Sequence, residues 1–133
     1  MSTPMPKQGD FCWHDLMTPD VEKAKKFYGA LFNWQTEALP MEEGMTYTML
    51  KNGDNGIGGM VQIQGEQYKD MPPHWLSYIQ VDNLDDMLKK AQELGGSITM
   101  PKNAAGDFGH FAIIRDPTGA HIALWQSAKK GGC

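Results

Sequence analysis

Cysteine is scarce in this chain, with only Cys12 and Cys133 among its 133 residues. Two thiols so placed, one in a strand and one at the last position, build no disulfide framework. Cys12 therefore reads as a small buried hydrophobe in a reduced, cytoplasmic protein. No run of about 18 apolar residues occurs, which argues against a membrane-spanning helix. The stretch from Met1 to Gln8 is polar with two prolines, so no signal peptide is expected there. Positive charge is neither abundant nor gathered. The formal net charge is −4, and the basic runs at Lys23 to Lys26 and Lys89-Lys90 fall on predicted helices as solvated faces. Neither nucleic acid nor a membrane surface is expected as a partner. The length suits a single domain over residues 1–133.

What the chain does have is methionine and a repeat. Its ten methionines suit either adaptable core filling or a soft lining for a binding cavity. The stretches Trp13 to Phe32 and Leu76 to Gly95 look like one unit written twice, 63 positions apart. At that offset Leu16 falls on Ile79, Val21 on Leu84, Ala24 on Met87 and Leu31 on Leu94. Further on, Gly59-Met60-Val61 falls on Ile122-Ala123-Leu124.

Each copy reads as β-α-β-β-β. In module one, residues 9–63, a strand runs from Phe11 to Met17. Thr18-Pro19-Asp20 then supplies an N-cap, a proline at the first helical position and an acid in the first turn. Val21, Ala24, Phe27, Tyr28 and Leu31 form the apolar helix face, ending near Asn33. Strands follow over Trp34 to Leu39, Met45 to Lys51 and Ile57 to Ile63, with turns at Pro40 to Gly44 and Asn52 to Gly56. Gly58 and Gly59 mark a bulge or a close backbone approach. Residues 64–73 form a linker. In module two, residues 74–127, the strand Trp75 to Val81 leads to a helix. Leu84, Met87, Leu88, Ala91 and Leu94 are its buried positions, and Gly95-Gly96 is its stop. A short strand at Ser97 to Met100, a loop to Gly109, a strand from Phe108 to Arg115, a type I turn at Asp116 to Gly119 and a strand from Ala120 to Gln126 complete it. Two such modules give an α+β fold with a curved mixed sheet, helices outside and a concave face inside. Such a face is a default ligand site.

Leu16-x-x-x-Asp20, Ala24-x-x-Phe27-Tyr28, Leu31-Phe32-x-Trp34 and Asp116-Pro117-x-Gly119-x-x-Ile122-x-Leu124 together resemble the glyoxalase / bleomycin-resistance / dioxygenase family, the vicinal oxygen chelate superfamily. The resemblance covers about Gly9 to Gln126, and with Gly109-His110-Phe111-Ala112 it is similar to the glyoxalase-like subgroup. It implies a homodimer and, in the family's enzymes, a divalent metal held by His, Gln and Glu from the first and last strand of each module. Aligned on the helix starts, those four places are Trp13, Met60, Leu76 and Ala123, none of which can ligate such a metal. No metal and no other cofactor is therefore expected.

By strand parity Trp13, Asp15 and Met17 line the concave face, as do Tyr78 and Gln80 in module two. Asp15 there either hydrogen-bonds a neighbouring hydroxyl or backbone N–H, sits at the solvated rim, or acts as a general base or cation partner. Tyr78 serves as pocket wall or as core, and Trp125 as packing or as a stacking surface. His110, at the mouth of a loop, and His121, sharing the parity of Ala123, are candidates for ligand contact and proton transfer, His121 otherwise being an exposed strand residue. The expected ligand-binding set is thus Trp13, Asp15, Met60, Tyr78, His110, His121 and Trp125. The function expected is metal-independent binding of a small, partly aromatic organic molecule. A metal-independent isomerase or lyase using Asp15, His110 or His121 is the alternative, and a glyoxalase-type metalloenzyme is disfavoured by its lost ligands.

Overall fold

The computed structural model describes residues 7–40, 46–63, 65–66 and 69–128. The expected turn after Pro40, part of the linker (Gln64, Gln67 and Tyr68) and the tail beyond Ala128 lie outside the described residues. The elements run β1 (Phe11–Thr18), α1 (Val21–Phe32), β2 (Gln35–Pro40), β3 (Thr46–Asn52), β4 (Asn55–Gln62), β5 (His74–Gln80), α2 (Leu84–Glu93), β6 (Ser97–Ala105), β7 (Gly109–Arg115) and β8 (His121–Ser127). This is the α+β, twice-repeated β-α-β-β-β order that the sequence implies. The chain divides into two compact units. One is His14–Leu76, and the other joins the strand residues before His14 to the chain from Ser77 onward.

In the first unit the strand order is β2-β3-β4-β1, with β1 parallel to β4 and the other neighbours antiparallel. Leu16, Val21, Leu50 and Met60 form its core, with Ala24, Tyr28, Trp34 and Ile57 packed against it. The helix begins two residues later than Thr18-Pro19 suggests. Asp20 is the N-cap, accepting from Lys23 N at 3.0 Å, and Asn33 in the left-handed region (φ 62°) closes the helix. A proline can sit just outside a helix as well as at its first position, because it lacks the N–H in either place. Val21 is the one buried residue of α1, while Phe27, Leu31 and Phe32 are exposed. The apolar face expected of α1 is thus only partly covered within its own unit.

The second unit has the order β5-β8-β7-β6, with β5 parallel to β8. Its core is Val81, Leu84, Leu88, Ala112 and Leu124, flanked by Ile79, Met87, Ile98 and Ile114. Asn83 caps α2 by accepting from Asp86 N at 3.0 Å, and Gly95 (φ 98°) follows its end as expected. Leu94 is exposed because it sits at the C-cap, where the helix face no longer meets the sheet. The expected loop from Pro101 to Gly109 is mostly strand. Two register shifts let β6 continue past Pro101 and pair as far as Ala105–Gly109.

The ladders correct the repeat. Asp15 pairs with Gly59 in module one, and Tyr78 pairs with Ala123 in module two. Asp15 and Tyr78 are 63 apart, but Gly59 and Ala123 are 64 apart. The third strands follow the second offset, with Thr48–Met60 matching Ala112–Leu124. A paired glutamine marks the same offset. Gln62 Oε1 accepts from Val21 N at 3.0 Å, and Gln126 Oε1 accepts from Leu84 N at 2.7 Å. Each satisfies an N–H at a helix start that has no partner inside the helix.

Candidate functional site

A one-residue change of offset moves side chains to the other face of a sheet. Met60 is therefore not the counterpart of Ala123. It lies fully buried in the α1-side core beside Leu16, and Gly59 takes the expected place next to Asp15. Asp15 is buried at 4% exposure, so it does not sit at the solvated rim. The Tyr47 hydroxyl donates to Asp15 Oδ1 at 2.5 Å, which is the neighbouring-hydroxyl role open to Asp15 from the sequence. The bond spans β4 because Gly59 has no side chain. A Cβ there would collide with the Tyr47 hydroxyl and stand 2.8 Å from Asp15 Oδ1. A short hydrogen bond to a buried carboxylate is among the stronger side-chain pairings. Sequence reasoning missed Tyr47, although its alternating strand and the Gly58-Gly59 pair held the signal.

The matching face of module two is aromatic. Tyr78, Ala123, Phe111 and Trp125 share it through the pairs Tyr78–Ala123, Gln80–Trp125 and Phe111–Trp125. The Tyr78 and Phe111 rings lie 6.4 Å apart and tilted. Gln80 is buried on the same face. The β7–β8 hairpin that aligns these residues is held by Asp116. Its Oδ1 accepts from the Thr118 hydroxyl at 2.6 Å, Thr118 N at 2.8 Å and Ala120 N at 3.1 Å. The Thr118 side-chain bond first, then the backbone N–H groups of Ala120 and Thr118, hold the Asp116 carboxyl below the usual carboxylate range.

The two histidine candidates belong to the second unit, and Asp15 to the first. His110 pairs with Gln126 and shares the parity of Ala112 and Leu124, on the α2 side of the sheet. His121 is exposed at the first position of β8, opposite Arg115. Trp13 is half-buried with the parity of Asp15 on β1, and Cys12 is half-buried instead of fully buried. His14 lies on the other face of β1. There, with Trp34, Leu50, Ile57, Gly58 and Trp75, it lines a groove of about 300 Å³.

A divalent metal of the family type does not fit these residues. With the register corrected, its four places hold Trp13, Gly59, Leu76 and Ala123, which offer no nitrogen or oxygen side-chain donor suited to it. Among the described residues no group of three or more His, Cys, Asp and Glu side chains could hold a metal ion. Among them, too, no helix is long and apolar enough to cross a membrane.

The fold class and the matching strand places now define the protein class. The chain matches the family model of the Glyoxalase/Bleomycin resistance protein/Dioxygenase superfamily over residues 11–124, and it belongs to that superfamily. A putative glyoxylase, CFP32, of Mycobacterium tuberculosis (strain CDC 1551 / Oshkosh) is 36% identical over 127 residues, covering 95% of this chain and 49% of the relative. The anthracycline biosynthesis protein DnrV of Streptomyces peucetius is 26% identical over 131 residues, covering 90% of this chain and 48% of its own. The chain thus spans about half the length of these relatives. Among solved structures, the methylmalonyl-CoA epimerase of Mycobacterium tuberculosis superposes with a TM-score of 0.64 at 14% identity, covering 98% of this chain and 94% of that one. A methylmalonyl-CoA epimerase in complex with methylmalonyl-CoA and ammonium gives 0.65 at 14%, covering 96% and 100%. At that identity the structures share the fold with this chain and carry no more than that.

Proposed function

We propose that this protein binds a small, partly aromatic organic molecule without a metal. The observation that carries the reading is the module-two face, where Tyr78, Phe111 and Trp125 share the face of Ala123, at a place the family uses for a metal-ligating Glu. Aromatic walls with few polar groups suit a flat ligand. The name of the relative DnrV, an anthracycline biosynthesis protein, agrees with an aromatic ligand. The proposal includes a homodimer, supported by the exposed Phe27, Leu31, Phe32 and Trp75.

A thermal-shift series tests the reading, first with EDTA, then with Zn²⁺, Ni²⁺, Mn²⁺ and Fe²⁺, then with aromatic metabolites and antibiotics. A ligand of the native state at about 100 times its Kd adds roughly 2.7 kcal/mol, a shift of several degrees at this size. The expected outcome is a shift with a flat organic molecule and none with EDTA or metals. Destabilisation by EDTA that one metal reverses would sink the proposal.

The Asp15–Tyr47 pair favours a second reading, a metal-independent isomerase or lyase. A buried carboxylate bonded to a phenol can pass a proton to or from an activated carbon. Because fold neighbours are methylmalonyl-CoA epimerases, that thioester in D₂O is a direct probe. Deuterium uptake at its α-carbon, lost in Asp15→Asn, would support the reading, and no uptake above background would exclude it for this substrate.

A further inference from the structure

We infer that the indole N–H of Trp125 anchors the ligand through an acceptor oxygen, a carbonyl or carboxylate carried directly on a flat ring. This rests on the binding reading above and adds the group that the ligand must carry. Trp125 Nε1 is a buried side-chain polar atom with no hydrogen-bond partner among the described residues. Buried polar groups are nearly always paired, so each exception calls for an explanation. Trp75 shows the ordinary outcome, its Nε1 donating to the Tyr28 hydroxyl at 3.3 Å.

An indole N–H only donates, so its partner must be an acceptor. A cation is excluded, and a pure hydrocarbon leaves the N–H as it stands. The position of the ring points to the rest of the ligand. Trp125 pairs with Phe111 on β7 and with Gln80 on β5, on the face that carries Tyr78 and Ala123. Gly109 on the same face gives the indole room, since a Cβ there would stand 2.9 Å from Trp125 Cζ2. That carbon is one bond from the ring carbon bearing Nε1, so this edge of the indole packs against the backbone at Gly109. A flat ring against Tyr78 and Phe111 would place an attached oxygen within reach of Trp125. Module one has Val61 at the equivalent place, with no donor, so the anchor belongs to module two alone.

The test follows the ¹⁵N-labelled indole resonances of the full chain by NMR. It compares 2-acetonaphthone with 2-isopropenylnaphthalene, which has the same shape without the oxygen. The expected result is a downfield move of the Trp125 Hε1 signal with the ketone only, and a preference for the ketone of about 10-fold, near 1.4 kcal/mol. Trp125→Phe should erase the preference while the hydrocarbon still binds. Nuclear Overhauser contacts to Phe111 assign the resonance in the natural chain, so the test survives a variant that does not fold. If both compounds bind alike with Hε1 unmoved, the anchor is overturned and the binding proposal stands. If neither binds, the aromatic-ligand reading falls and the anchor with it. A long-lived water at Hε1 that the ketone does not displace would also overturn the anchor.

Discussion

Module one buries a carboxylate under a phenol, and module two sets a phenol beside a phenyl ring at the same places. Asp15 corresponds to Tyr78, Tyr47 to Phe111, and Gly59 to Ala123 by ladder register. The third-strand ring reaches the first-strand side chain across the fourth strand in both modules, at 2.5 Å between atoms in one and 6.4 Å between centroids in the other. The scaffold thus requires a small residue beneath the crossing and leaves the polarity of the pair open. The helices differ as well. Helix α2 buries Leu84 and Leu88, whereas α1 buries Val21 and exposes Phe27, Leu31 and Phe32. Module two closes its own core, and module one keeps an aromatic surface of Phe27, Tyr28, Phe32 and Trp34, joined by Trp75 of β5 within the same compact unit.

Paired substitutions can break or sharpen that comparison. The largest effect is expected at the helix starts. Leu84→Ala should cost about 4 kcal/mol and Val21→Ala about 1–2 kcal/mol, read from urea denaturation at constant slope. Equal costs would mean that the two helix faces are equally covered.

Next is the crossing itself. Gly59→Ala should cost about 3 kcal/mol by driving Tyr47 off Asp15, while Ala123→Gly should cost about 1 kcal/mol. Tolerance of alanine at Gly59 would mean that the crossing can open freely. Tyr47→Phe turns the module-one pair toward that of module two and should cost about 1–2 kcal/mol through the lost bond to the buried carboxylate. A variant as stable as the parent would remove the energetic difference between the pairs.

The smallest effect concerns the turns into the fourth strands. Module one turns through Gly53 with φ 65°, and module two through the bonds to Asp116. The folded-state pKa of Asp116 is lowered, so its contribution is fully present above the ordinary carboxylate pKa and is lost as pH falls through the lower, folded-state value. The melting temperature of Asp116→Asn should therefore lie slightly below that of the parent near neutral pH and converge with it in acid. A gap that stays constant with pH would show that the charge plays no part.

Much of the fold was legible because its signals are local. Helix periodicity, the stop at Gly95 and the turns around Gly53 and Asp116 each depend on a few neighbouring residues. The boundaries that moved were those set by packing. Asp20 replaced Thr18-Pro19 as the cap, and β6 ran on through a bulged ladder past Pro101. Of the candidate site, Asp15, Tyr78 and Trp125 could be placed by parity alone. Met60 was assigned to the wrong face and Tyr47 was overlooked, because both depend on which residue lies across a ladder. Gln62 and Gln126, spaced 64 apart, were the overlooked sign in the sequence of the true offset.

By itself, the amino-acid order determined the twofold β-α-β-β-β plan and the superfamily likeness, since periodicity, turn chemistry and motif spacing are properties of the residues. Only the tertiary structure decided that Gly59 stands where Met60 seemed to, that Tyr47 bonds Asp15 across it, and that the Trp125 N–H is buried without a partner among the described residues. The physical reason is that strand pairing carries no sequence spacing of its own. One added residue between distant strands reverses the face of every side chain beyond it, and only the formed ladder shows on which side each one falls.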